Sequence, residues 1–309
     1  MPGIHPDFIV FAADPRNTVR PPPAHVPLHK LRAAADAAMV DHAPPTIARI
    51  EEGMVASDGV SVPVRLYRTA ADGTLPLIVF AHGGGFVWGS IDTHDGICRR
   101  LALASGAAVL SIGYRLAPEA PFPAAMRDVL TVIDALPGLS ERWQIDPTRL
   151  AFCGDSAGGH VMLTAALALR GAPLCPLALA LIYPAVDPSC ESDSQHRLAD
   201  GPVLTQAGMR WFWHTYLGEQ SEAPPTEATP LNANLSGLPP TLIVTAEHDP
   251  LRDEGTALAA RLDRQGVSAT LHLVDGAVHG FLSASLDAAL SRVCISTIAG
   301  FVTNQEHLR

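Results

Sequence analysis

From residue 60 onward the chain alternates between short apolar runs and amphipathic stretches of helical length. SVPVRLYR (61–68) alternates apolar and polar positions and is expected as an antiparallel edge strand. PLIVFA (76–81), AAVLSIGY (107–114), RLAFCG (149–154), PLALALIYP (176–184), TLIVTA (241–246) and SATLHLV (268–274) follow. Most are apolar on both faces, as parallel strands covered by helices must be. Helical periodicity fills the gaps at 96–105, 124–136, 158–170, 255–265 and 285–303, with Gly266 as a C-terminal cap. Strand alternating with helix predicts an α/β protein built on a doubly wound, mostly parallel sheet.

Two stretches break the rhythm. Residues 1–50 are proline-rich, with an alanine-rich helical piece around 31–40. Residues 187–230 run through SCESDSQHRLADGPVLTQ and MRWFWHTYL to a proline-rich exit, too long for an ordinary crossover. The expected organisation is an N-terminal arm (1–50) contributing to a cap, a core made of 51–186 and 231–309, and a cap insertion at 187–230.

In an open α/β sheet, ligands sit beyond the carboxyl ends of the strands. Four strand ends here carry candidate chemistry. GDSAG (154–158) follows one strand and precedes a helix, which is the context of a nucleophile elbow with Ser156 at its tip. Asp249 follows TLIVTAEH, His279 lies in DGAVHGF after SATLHLV, and HGGGF (82–86) follows PLIVFA. The order Ser, Asp, His is that of hydrolases with this sheet. A serine hydroxyl needs an imidazole to take its proton, and the imidazole needs a carboxylate to hold its tautomer. A tetrahedral intermediate needs preorganised N–H donors. Ala157, Gly84 and Gly85 are the expected donors, with Gly83 a further candidate, and His82 is expected to order the loop. Competing readings exist for each. Ser156 could cap its helix, Asp249 could open one, and Asp253, Asp275, His272 and His307 are rival titratable groups. Phe86, Trp88, Trp211, Phe212 and Trp213 are candidate walls of a substrate pocket, although WFWHTYL is most simply an amphipathic helix.

Composition narrows the partners. A formal charge of −10 argues against nucleic acid and anionic membranes. Lys30 is the single lysine, and GGGFVWGS lacks both the Walker lysine and dinucleotide-binding spacing. No cluster has zinc-like spacing, so neither metal nor cofactor is expected. The five cysteines are odd in number and contain no C-x-x-C, which fits a reducing cytoplasm better than a disulfide framework. The apolar runs are strand-sized, so no membrane insertion is expected. FIVFAA near the N-terminus follows Asp7 without a basic cluster and does not read as a signal peptide.

HGGGF, YRLAPE (114–119), PFPAA (121–125), GDSAGG (154–159), DPLRDEG (249–255) and HGF (279–281), in this order, resemble the hormone-sensitive-lipase-like esterase branch of the α/β-hydrolases. The likeness spans about residues 60 to 300. It implies a cofactor-free carboxylesterase acting on small acyl esters, often dimeric through an edge strand, with Ser156, Asp249 and His279 as triad and the HGGG loop with Ala157 as oxyanion hole. It also implies a structural role for Arg115 and Glu119. His160 departs from the pattern, because many members of that branch have asparagine after GDSAGG. An amidase or arylformamidase on the same triad, an interfacial lipase and a non-catalytic receptor of the same fold are the alternatives. The cap segment is largely polar at 187–210, which disfavours the lipase, and an intact triad disfavours the receptor.

Overall fold

The computed structural model describes residues 3–57, 59–70 and 72–306; His307 lies outside them. The strands are β1 (Arg49–Ser57), β2 (Val60–Arg68), β3 (Leu75–Ala81), β4 (Ala108–Ile112), β5 (Ile145–Asp155), β6 (Ala178–Ile182), β7 (Thr241–His248) and β8 (Ala269–Val278). They form one eight-stranded sheet in the order β1-β2-β4-β3-β5-β6-β7-β8. β3 to β8 run parallel, while β2 pairs antiparallel with both β1 and β4. β4 and β6 are buried at every position, as strands covered on both faces must be.

The helices are α1 (Pro6–Ala13), α2 (Leu28–Met39), α3 (Asp95–Ser105), α4 (Ala124–Trp143), α5 (Ala157–Ala168), α6 (Asp193–Arg197), α7 (Gln206–Leu217), α8 (Arg252–Arg264), α9 (Phe281–Ala284) and α10 (Ala289–Glu306). The sheet divides the core in two. On one face α4, α5, α7 and α8 contribute Val129, Val161, Trp213 and Leu258. On the other, α1, α3 and α10 contribute Phe8, Leu101 and Ile298.

Two sequence expectations need correction. The edge strand is β1, and SVPVRLYR is the second strand. β1 buries only Val55, and Glu51 and Glu52 interrupt its alternation, so its pattern looks like loop; charge on an edge strand is how such an edge avoids self-pairing. α4 does not stop at Leu136 but continues through Pro137 to Trp143. Leu136, Leu139 and Trp143 continue the apolar stripe, and that packing outweighs the hydrogen bond the proline forfeits. FIVFAA lies within α1, whose Phe8 meets the Phe281 ring edge-on at 5.9 Å.

The arm and the 187–230 segment touch. Val19 and Leu204 form a parallel bridge, and the Val19 N–H donates to the Val203 carbonyl at 2.6 Å. α6 is tied to α8: Asp253 accepts the Ser194 N–H at 2.8 Å, and Glu254 accepts from the Gln195 side chain at 3.2 Å. α2 buries no residue. Its attachment is polar, with Arg32 donating to the Val87 and Ala117 carbonyls and pairing with Glu119, while Asp36 accepts the Gly89 N–H at 3.1 Å. Among the described residues no helix is long and apolar enough to cross a membrane.

Candidate active site

β5 ends at Asp155 and α5 begins at Ala157, so the chain reverses on one residue. Ser156 sits there at φ 53°, ψ −118°, a strained conformation for a residue with a Cβ. It makes no side-chain cap bond, so its hydroxyl is not spent on the helix. The turn closes because both flanking positions are glycine. A Cβ on Gly154 would lie 2.5 Å from the Gly158 carbonyl oxygen, and one on Gly158 would overlap the Ala81 carbonyl.

The ends of β5, β7 and β8 bring three side chains into line. Ser156 Oγ is 3.0 Å from His279 Nε2, and His279 Nδ1 is 2.7 Å from Asp249 Oδ2. Asp249 is fully buried, and its Oδ1 accepts the Leu251 N–H at 2.8 Å. A carboxylate only accepts, so Nδ1 carries the ring hydrogen and Nε2 turns a lone pair to the serine hydroxyl. The rival groups are placed elsewhere. Asp253 is engaged with α6, Asp275 is exposed, and His272 is half-buried in β8.

The loop after β3 is held from below. The Gly83 N–H donates to Asp155 Oδ1 at 2.8 Å, which commits it and removes it from the expected oxyanion donors. Gly84 and Gly85 have positive φ, and neither N–H has an acceptor among the described residues. The Ala157 N–H is in the first turn of α5, where helix geometry supplies no partner. His82 donates from Nδ1 to the Gly83 carbonyl at 2.8 Å and stacks on Tyr114 at 4.2 Å. Burial, aided by the neighbouring His94, pushes its pKa down to about 3. Tyr114 in turn donates its hydroxyl to the His82 carbonyl at 2.7 Å.

Asp155 and His94 are residues the sequence reading passed over. His94 Nε2 lies 3.2 Å from Asp155 Oδ1, and its Nδ1 meets Thr93 Oγ1 at 2.8 Å. Burial pushes the Asp155 carboxyl up, but His94, His82 and the Gly83 N–H outweigh it and hold it below the ordinary carboxylate range. The one available signal was the aspartate inside GDSAGG itself. Arg115 chelates buried Asp128 and Glu119 pairs with Arg32, so both brace loops.

The five aromatic candidates divide. Trp88 stacks on Trp211 at 5.8 Å and meets Phe212 edge-on at 4.7 Å; both tryptophans are half-buried, and Phe212 packs so closely on Gly85 that a Cβ there would collide with its ring. Phe86 and Trp213 are instead enclosed in the core with His160 and Tyr216.

Residues 78–283 match a family described as the α/β-hydrolase fold. The chain belongs to that family, in its hormone-sensitive-lipase-like esterase branch. It is 38% identical over 252 residues to carboxylesterase NlhH of Mycobacterium tuberculosis, covering 77% of each chain. It is 36% identical over 235 residues to ethyl acetate hydrolase of Pseudomonas putida, covering 74% of each. The hyperthermophilic esterase of the archaeon Pyrobaculum calidifontis superposes with a TM-score of 0.91 at 33% identity, over 98% of both chains.

Proposed function

We propose that this ester hydrolase is a serine carboxylesterase for short- to medium-chain acyl esters, with Ser156 as nucleophile, His279 as general base and then acid, and Asp249 as the group that orients it. The observation that carries the reading is the unbroken relay from Ser156 Oγ through His279 to buried Asp249, at 3.0 and 2.7 Å. Ser156 Oγ attacks the ester carbonyl carbon while Nε2 takes its proton. Asp249 stabilises the imidazolium. The N–H groups of Gly84, Gly85 and Ala157 receive the developing oxyanion. His279 then returns the proton to the departing alkoxide, leaving an acyl-serine. Water attacks that ester with His279 again as base, and the acid leaves. In this reading the arm and the 187–230 segment together form the cap, and Trp88, Trp211 and Phe212 wall the acyl pocket.

The relatives support the ester class, since carboxylesterase NlhH and ethyl acetate hydrolase are named for it. The test is covalent labelling with an organophosphonate, alongside turnover of p-nitrophenyl esters and the matching anilide. Ser156→Ala should lose the adduct and reduce turnover by several powers of ten, leaving only oxyanion-hole and binding effects. Wild-type preference for the anilide over the ester of the same acyl group would move the assignment to an amidase.

A further inference from the structure

Tyr183 is the first residue after β6 and sits at φ 36°. Left-handed backbone is rare for a bulky side chain. Pro184 follows it, and the residue before a proline is ordinarily pushed to extended backbone. Strain of this kind persists only where the surroundings hold it, and it concentrates at functional sites. Glycine would take the conformation freely, so the contacts of the tyrosine side chain must offset the cost.

Those contacts lead to the general base. The side chain is enclosed, at 1% exposure. Its ring centroid lies 4.9 Å from that of His279 at a tilt of 57°, and 5.6 Å from that of Phe281, which it meets edge-on. Its hydroxyl makes no hydrogen bond among the described residues, and the nearby Leu282 N–H is out of bonding geometry. Residues 279–282 thus wrap one ring. Gly280, at φ 71°, makes the bend, and Phe8 of α1 backs Phe281 at 5.9 Å.

The backbone of the same short segment holds the nucleophile. The Ser156 N–H donates to the Ile182 carbonyl at 2.8 Å, and the Ala185 N–H donates to the Ser156 carbonyl at 3.3 Å. The Tyr183 N–H donates to the Val244 carbonyl at 2.6 Å, which fastens the segment to β7. Residues 182–185 therefore grip Ser156 by its backbone and His279 by its ring. The Asp249 bond alone does not achieve this. It fixes Nδ1, but the last torsion of a histidine is broad. The ring can rock about that bond and swing Nε2 off the serine hydroxyl. An aromatic ring packed against the imidazole blocks that motion. We propose that Tyr183 is a positioning residue: its ring, not its hydroxyl, sets the plane of His279 so that Nε2 stays aimed at Ser156 Oγ. The proposal rests on Ser156 and His279 as the reacting pair.

The experiment measures kcat and KM for p-nitrophenyl butyrate, and the rate of organophosphonate labelling at Ser156, each variant well below its melting temperature. Tyr183→Phe keeps the ring and should match wild type. Tyr183→Leu and Tyr183→Met fill the space without a flat face. Both should lower kcat and the labelling rate by about ten- to a hundredfold with KM little changed, since a misplacement of about 1 Å costs about a hundredfold. A purely structural role would lower the melting temperature and leave kcat and labelling of the folded protein at wild-type values. That result would overturn the proposal, and so would a Tyr183→Phe protein as slow as Tyr183→Leu. If neither Tyr183→Leu nor Tyr183→Met folds, a crystal structure of the wild-type phosphonate adduct decides. His279 held against Tyr183 at its native tilt supports the proposal, and His279 swung off the ring overturns it. No label on Ser156 in wild type would overturn the nucleophile assignment and this proposal with it. Labelled wild type with equally fast Leu and Met variants overturns the role of Tyr183 alone.

Discussion

Asp249→Asn isolates the orienting role of the carboxylate without changing its shape. The Leu251 N–H approaches Oδ1 to 2.8 Å, and it can only donate. The amide oxygen of the substituted side chain must therefore occupy that position, because the reversed amide would set donor against donor. The amide NH2 then faces His279 Nδ1, where Oδ2 accepted at 2.7 Å in the native protein. A donor there forces Nδ1 to become the acceptor, so the ring hydrogen moves to Nε2. Nε2 now points an N–H at Ser156 Oγ and cannot take its proton. A triad with the wrong tautomer loses about 10⁴ in kcat, or about 5.5 kcal/mol of transition-state stabilisation. The Leu251 bond survives, so the thermal midpoint should change little. The assay is steady-state hydrolysis of p-nitrophenyl butyrate beside a thermal melt. A loss below tenfold in a folded variant would refute the reasoning and assign the orientation of His279 to another group.

Three further outcomes follow from the structure. Burial pushes the Glu254 carboxyl up to about 8, against the pull of the Val186 and Asp187 N–H groups and Gln195. The native state then keeps a proton that the unfolded chain, with its ordinary value of 4.5, gives up. Stability from this group is fully present below that ordinary value and is lost as pH rises through about 8, with a slope approaching about 1.4 kcal/mol per pH unit inside the window. Urea midpoints across that window should fall in wild type and flatten in Glu254→Gln; identical slopes would remove Glu254 as the cause. Gly158→Ala should destabilise the fold by more than about 3 kcal/mol, since its Cβ meets the rigid Ala81 backbone, whereas Gly300→Ala, with open space in α10, should raise stability by up to about 1 kcal/mol. Melts of the two proteins in the opposite order would contradict the packing at the elbow. Each acyl methylene that finds apolar wall gains up to about 0.8 kcal/mol until the pocket ends, so kcat/KM should peak between about four and eight carbons. Trp211→Ala should move that peak to longer esters, and an unmoved peak would take Trp211 out of the wall.

Some of this protein is written along the chain. Parallel strands buried on both faces must be apolar throughout, so PLIVFA, AAVLSIGY and TLIVTA declare themselves wherever they occur. The sharp turn at Ser156 admits only glycine at Gly154 and Gly158, so the elbow is a local signal too. Strand ends in such a sheet face one side, and for that reason Ser156, Asp249 and His279 could be named together before any contact was known. Tertiary structure decided the rest, because it depends on partners remote in sequence. HGGG offers three adjacent N–H groups, with Gly84 and Gly85 the expected donors and Gly83 a further candidate, and only the fold shows Asp155, 72 residues away, taking the one on Gly83. β1 has too few buried positions to show a strand period, and only pairing with β2 makes it one. Phe86 and Trp213 are candidate pocket walls by their bulk and their places in the HGGGF loop and the 187–230 segment, yet packing against His160 and Tyr216 encloses both. The unpartnered polar atoms of that cluster exist only where α5, α7 and the loop after β3 meet, since a polar atom's satisfaction belongs to its neighbours in space and not to its neighbours in sequence.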